Sequence, residues 1–214
     1  MKILFTTTVF LLMSCLGVAK NEQNRSKEMY KPSQETKVAY FASGCFWCVE
    51  AIFESVKGVE EAVSGYAGGH TKNPTYESTG RGDTGHAETV AVYYNPKLVS
   101  FETLVKVYYG SHDPTTVNGQ HPDYGSQYRS IAFYTNEQEK AIINNMIATL
   151  NKEVYNGKVA TEVQKFNKFY KAEEYHQDFE KRNPNQPYVK AVSIPRLNRF
   201  KKKFPELLKE KEKF

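Results

Sequence analysis

Cysteine is scarce in this 214-residue chain, occurring only at Cys15, Cys45 and Cys48. No second pair of cysteines or histidines stands at ligand spacing from Cys45 and Cys48, and a structural zinc site normally needs four such ligands. A metal is therefore not expected. A purely structural disulfide within one helical turn would close almost no loop and would stabilise little, which leaves redox chemistry as the leading use of the pair. Positive charge is in modest excess, +5 overall, and much of it lies in "IPRLNRFKKKFPELLKEKEKF" at the C-terminus. No matching basic groove or aromatic platform occurs elsewhere, so a solvated basic tail over 201–214 is expected and a nucleic-acid partner is not. Internal repeats and linkers are absent, and the length suits one domain. Aromatic residues are abundant: 15 Tyr and 13 Phe in a 40% apolar composition supply a packed core, which argues against a disordered chain.

The N-terminus reads as a targeting signal. Lys2 precedes "ILFTTTVFLLM", an apolar run too short to cross a bilayer as a helix. Its end, Leu12 to Cys15, resembles a bacterial lipoprotein cleavage box. Residues 1–14 are thus expected to be a leader, Cys15 a lipidated residue, and 15–35 a polar tether to a catalytic domain over 36–200. The expected location is the bacterial cell envelope, with a membrane anchor on Cys15. An ordinary secretory leader is the alternative. Under either reading Cys45 and Cys48 are the internal thiols of the mature domain.

"KVAYFAS" is rich in strand formers and runs into Gly44, after which Val49, Ile52, Phe53 and Val56 recur at helical spacing until Gly58. Strand, tight turn and helix place Cys45 at a helix N-terminus, where the macrodipole favours an anion and lowers a thiol pKa. Cys45 is therefore the expected nucleophile, with Cys48 on the same face. "VEEAVSGYAGG" reads as a strand, His70–Gly85 as a polar loop, and "HAETVAVYYNP" as a strand by alternation. If the face of Glu88, Val90, Val92 and Tyr94 is the buried one, Glu88 is a carboxyl in apolar surroundings, protonated near neutrality. The opposite parity leaves it a solvated edge charge. Ser100 caps a helix to about His112, a long loop follows, and "YRSIAFYT" is a strand. Thr135 with Gln138 forms a capping box for the next helix. "VATEVQKF" reads as a strand and "KAEEYHQDFEKR" as a short helix. A sheet with packed helices, α+β or α/β, follows.

Seven stretches in order, "GCFW", "GYAGG", "NPTY", "TGHAE", "HDP", "GSQYRS" and "YHQ", span nearly the whole of 36–190. Through them the chain resembles peptide methionine sulfoxide reductase, type A. The resemblance implies an α+β fold, a mixed β-sheet with packed helices around a ferredoxin-like core. It also implies selectivity for the S epimer of methionine sulfoxide, free or in proteins, and a part in repairing oxidised proteins. Cys45 would attack the sulfoxide sulfur, Glu88 would protonate its oxygen, and Tyr76 and Tyr128 would donate hydrogen bonds to that oxygen. Asp123 would organise the site, and Phe46 and Trp47 would wall the methyl group. Arg129 and His176 are expected supports. Cys45 would leave the first step as a sulfenic acid, which condenses with a nearby thiol. Many relatives carry glycine where Cys48 stands and cysteine where Val189 stands, so Cys48 would be the resolving thiol here. The implied electron donor is thioredoxin or another thiol, with no bound cofactor, and a monomer is expected. Two rivals stay open on the residues alone: a thioredoxin-like disulfide oxidoreductase, and a lipid-anchored surface protein with a structural Cys pair.

Overall fold

The computed structural model describes residues 30–213. The expected leader, Cys15 and most of the tether lie outside the described residues.

Strand β1 (Lys37–Ser43) enters the turn at Gly44, whose φ of +87° is open to glycine at little cost, and helix α1 (Phe46–Glu54) follows with Cys45 as its N-cap. Then come β2 (Val59–Ala67), the short α2 (Tyr76–Gly80), β3 (Ala87–Tyr94) and α3 (Phe101–Gly110). A two-residue hairpin, β4 (Gly119–Gln120) with β5 (Asp123–Tyr124), precedes β6 (Ser130–Tyr134) and α4 (Glu137–Leu150). The chain closes with β7 (Glu162–Lys165), β8 (Tyr170–Lys171), α5 (Phe179–Arg182) and α6 (Ile194–Lys203).

The six-stranded sheet runs β7-β6-β1-β3-β2-β8, antiparallel except for the β6–β7 pair. Its centre, β6-β1-β3-β2 with α1 after β1 and α3 after β3, is the ferredoxin-like split βαβ arrangement that the resemblance implied. One face carries the main core: Phe41 stacks on Phe53 and Tyr108 at 5.2 and 5.0 Å, with Val90, Val92 and Tyr94 from β3 beneath the helices. The other face holds Ala42, Ala67, Ala87, Ile131 and Phe133 under Tyr40, Phe166 and Phe169. Both faces of β3 are buried, and its valine face is the one that meets the helices. That places Glu88 in apolar surroundings, the first of the two parities.

Four local expectations change. The loop His70–Gly85 contains α2, because Thr75 accepts from Ser78 N at 3.2 Å while its own N–H donates to Ser78 Oγ at 2.8 Å, a reciprocal cap. The cap of α4 is Asn136, which accepts from Glu139 N at 2.9 Å, and Glu139 reaches back to Thr135 N; Gln138 takes no part. The helix expected over "KAEEYHQDFEKR" is split: Tyr170–Lys171 is a strand, Glu174–His176 a 3₁₀ turn, and Asp178 sits at φ +52° before α5. The terminal basic stretch is not solvated throughout, because Phe200, Phe204 and Leu208 recur every fourth residue and are buried. Lys57 N donates to Leu207 O at 2.8 Å and Lys209 N to Ser55 O at 2.9 Å, tying the stretch to the end of α1.

Candidate active site

The first backbone N–H groups of a helix have no partner within it. In α1 one of them is taken by a side chain from the sheet: Phe46 N donates to Glu88 Oε2 at 2.9 Å. Glu88 stands at the start of β3 and is 3% exposed. Burial pushes its carboxyl up to about 8, although the Phe46 N–H works in the other direction. The site thus holds a protonated carboxylic acid near neutral pH at the mouth of the helix that begins with Cys45.

The two thiols are free and share a hydrogen bond. Their surroundings reverse one expectation. Cys45 is not the acidified thiol of the resting site: burial, its hydrogen bond to Cys48 and the nearby Glu88 all push it up. Desolvation outweighs the helix terminus. The hydrogen bond from Cys45 instead lowers Cys48 to about 6, against burial and with help from Arg196 and Ser193. Ser193 Oγ lies 2.9 Å from Cys48 Sγ, and both are fully buried. The pair as a unit gives up its first proton below neutrality and keeps the second between the sulfurs.

An aromatic wall surrounds Cys45. Phe46 packs against Tyr76 at 6.3 Å and His176 at 4.9 Å, and Trp47 stacks on Phe179 at 3.7 Å with Tyr188 edge-on at 5.9 Å. Trp47 Nε1 donates to His176 Nδ1 at 3.1 Å. An indole N–H can only donate, so Nδ1 is the acceptor and the imidazole, whose pKa burial lowers, carries its proton on Nε2. Glu173 accepts from Tyr66 OH at 2.8 Å and from Tyr76 N at 2.9 Å, holding the start of α2 beside Phe46. Burial and the fields of Glu88 and Cys45 push the Tyr76 phenol up to about 12, and burial with Glu88 raises Tyr128 as well. Both phenols therefore remain donors at any ordinary pH. Asp123, on the β4–β5 hairpin, accepts from Tyr188 OH.

The residues singled out from the sequence as Cys45, Phe46, Trp47, Cys48, Tyr76, Glu88, Asp123 and Tyr128 are thus electrostatically or physically coupled at one place. His176 joins them through Trp47. Arg129 does not: it bonds Glu162 and the carbonyls of Ser126 and Gly85, and so pins the turn that carries Tyr128. Tyr188, Ser193 and Arg196 were missed. Among the described residues one acidic group, Glu50, Glu54 and Asp178, brings its oxygens within 4.8 Å of one another, and Lys181 already bridges Glu54 and Asp178 there.

The family model for peptide methionine sulfoxide reductase matches residues 37–208. Peptide methionine sulfoxide reductase MsrA 1 of Rhodopirellula baltica is 45% identical over 179 residues, 84% of this chain and 92% of the relative. Among solved structures, methionine sulfoxide reductase A of Corynebacterium diphtheriae superposes with a TM-score of 0.65 at 33% identity, over 71% of this chain and 77% of that one. Mxr1 of Saccharomyces cerevisiae in reduced form gives 0.68 at 31%, over 74% and 92%, and Mxr1 has also been solved in complex with Trx2. With the family model, the curated relative and the geometry in agreement, the chain belongs to the peptide methionine sulfoxide reductase family.

Proposed function

We propose that the chain reduces methionine S-sulfoxide, free or in proteins, to methionine, with Cys45 as nucleophile and Cys48 as resolving thiol, and that a thioredoxin-like protein recycles the pair. The observation that carries the reading is the buried Glu88 carboxyl, bonded to Phe46 N at the start of α1 beside Cys45, with two phenols and an apolar wall around the same place. A disulfide exchanger has no use for that acid or for Tyr76 and Tyr128.

Cys45 Sγ attacks the sulfoxide sulfur and passes its proton to the Cys48 thiolate with which it shares a hydrogen bond. Glu88 gives a proton to the sulfoxide oxygen, and the two phenols stabilise the charge that develops there. Oxygen is transferred to Cys45, so methionine sulfur is reduced by two electrons and Cys45 becomes a sulfenic acid. Glu88 then takes the proton from Cys48. The regenerated thiolate attacks Cys45 Sγ and expels hydroxide, which leaves as water with the proton of Glu88. One sulfoxide and two thiols have become one methionine, one disulfide and one water. A dithiol reductant restores the pair by exchange, and the complex of Mxr1 with Trx2 supports a thioredoxin in that part.

The N-terminal leader and lipobox support an exported, lipid-anchored protein in the cell envelope that repairs methionines oxidised outside the cytoplasm. Release of the Cys15→Ser protein from the membrane fraction is the expected result, and retention there would refute the anchor. The reductase reading is tested with dithiothreitol as donor: methionine should form from the S epimer and not the R epimer, and Cys45→Ser should form none. Turnover by Cys45→Ser would refute it.

A further inference from the structure

The basic stretch near the C-terminus has a use beyond packing. Helix α6 places Arg196, Arg199 and Lys203 at i, i+3 and i+7, on one face. That face borders a cleft of about 350 Å³ whose other walls include His112, Asp123 and Tyr188. Arg196 is 8% exposed. Its Nε and one amino group donate to Ser111 O and Ser43 O, each at 2.9 Å, while its other amino group has no hydrogen-bond partner among the described residues. That group lies where a Cβ on Gly44 would come within 3.5 Å of it, next to the N-terminus of α1.

The two acids at the cleft, Asp113 and Asp123, accept hydrogen bonds from neutral donors, and Asp123 also lies in the field of Arg196. Asp113 Oδ1 accepts from Thr115 N and Oγ1 at 2.9 and 2.7 Å, and Asp123 accepts from Tyr188. His112 is neutral, since burial pushes it down to about 3. Arg199 makes no hydrogen bond or ion pair among the described residues, and Lys203 lies only over the Phe204 ring at 5.2 Å. Two exposed cations, Arg199 and Lys203, therefore face the cleft with no ion pair among the described residues, while the charge of Arg196 behind them acts on Asp123 and Cys48. Asp123 and Tyr188 are shared with the sulfoxide pocket, where Tyr188 meets Trp47. Tyr188 and Asp123 thus border both the surroundings of Cys45 and the cleft.

We propose that the cleft is a substrate subsite that binds an acidic side chain flanking methionine sulfoxide, so that the enzyme prefers oxidised methionines in acidic sequence. This rests on the reading of the Cys45 pocket as the sulfoxide site. The test compares kcat/KM for pentapeptides with one central methionine sulfoxide among alanines and with Asp or Lys at one flanking position at a time. The Asp peptide at the favoured position should exceed the alanine peptide by about three- to tenfold at low salt, and the advantage should shrink as salt rises, as for exposed charge pairs. In Arg199→Ala/Lys203→Ala the ratio of Asp to alanine peptide should fall to near one, and in Arg199→Glu/Lys203→Glu the Lys peptide should become the better substrate. Because the ratio is internal to each variant, partial loss of folded protein does not disturb it. Equal rates for Asp and alanine peptides in the unaltered protein, or an Asp preference that survives both variants, would overturn the subsite. Failure to reduce any of the peptides or the free amino acid would overturn the reductase reading instead.

Discussion

Cys45 and Cys48 lie three residues apart on one helix, yet their surroundings differ in kind. Around Cys45 stand a neutral acid, two phenols and aromatic rings, groups that donate protons and wall an apolar methyl. Around Cys48 stand Ser193 at 2.9 Å and the charge of Arg196, groups that hold an anion. In the function proposed above, the first region accepts oxygen and the second keeps a thiolate in reserve. The difference shows that a helix N-terminus does not by itself settle which of two thiols ionises. Burial and the group brought up from across the fold decide it.

The comparison breaks most completely at Cys45→Ser, which should abolish methionine formation and leave Cys48 with no sulfenic acid to attack. Glu88→Gln removes the acid while keeping the shape, and should slow methionine formation by about 10²- to 10⁴-fold, the usual contribution of a general acid; an unchanged rate would take Glu88 out of the chemistry. Cys48→Ser acts on the other region, so a first methionine should still form, more slowly because the thiolate that takes the proton of Cys45 is gone, and a thioredoxin-like donor should no longer sustain turnover. Methionine formation should fall on the alkaline side as Glu88 ionises near pH 8, and on the acid side as the Cys48 thiolate is lost near pH 6. Glu88→Gln should remove only the alkaline limb. Stability has a matching sign: the folded pKa of Glu88 lies above its ordinary 4.5, so its contribution is complete below about 4.5 and is lost as pH rises through about 8. Denaturation of Glu88→Gln should accordingly show a flatter decline over that window. Ser193→Ala is the mildest, and should slow loss of the second thiol by about tenfold relative to methionine formation, the lower end for a hydrogen bond to a charged group.

In the half of the site around Cys45, local signals placed Cys45 at a helix start and left Glu88 between two parities, while the parts of Tyr76 and Tyr128 came only through the family resemblance. The turn at Gly44, the helical spacing of Val49, Ile52 and Phe53 and the alternation of Glu88, Val90 and Val92 each need only a few neighbouring residues. The half around Cys48 was not legible. Ser193 and Arg196 follow Cys48 by some 145 residues and reach it only because α6 folds back against α1. Tyr188 stood beside the noticed Val189, but nothing local says that its hydroxyl meets Asp123. The tail was misread for another reason: dense Lys and Arg mask Phe200, Phe204 and Leu208, whose four-residue spacing marks a buried stripe. The thiol order was reversed because desolvation depends on tertiary burial, which the position of a helix start does not reveal.

The most direct test is a single-turnover reaction without added reductant, in which the reduced protein meets excess methionine S-sulfoxide and both methionine formed and thiols lost are counted. About one methionine with the loss of both Cys45 and Cys48 is predicted, because condensation of the sulfenic acid consumes the second thiol. One methionine with only one thiol lost would contradict the division of labour between the two sulfurs, and no methionine from a folded, reduced protein would contradict the sulfoxide chemistry itself.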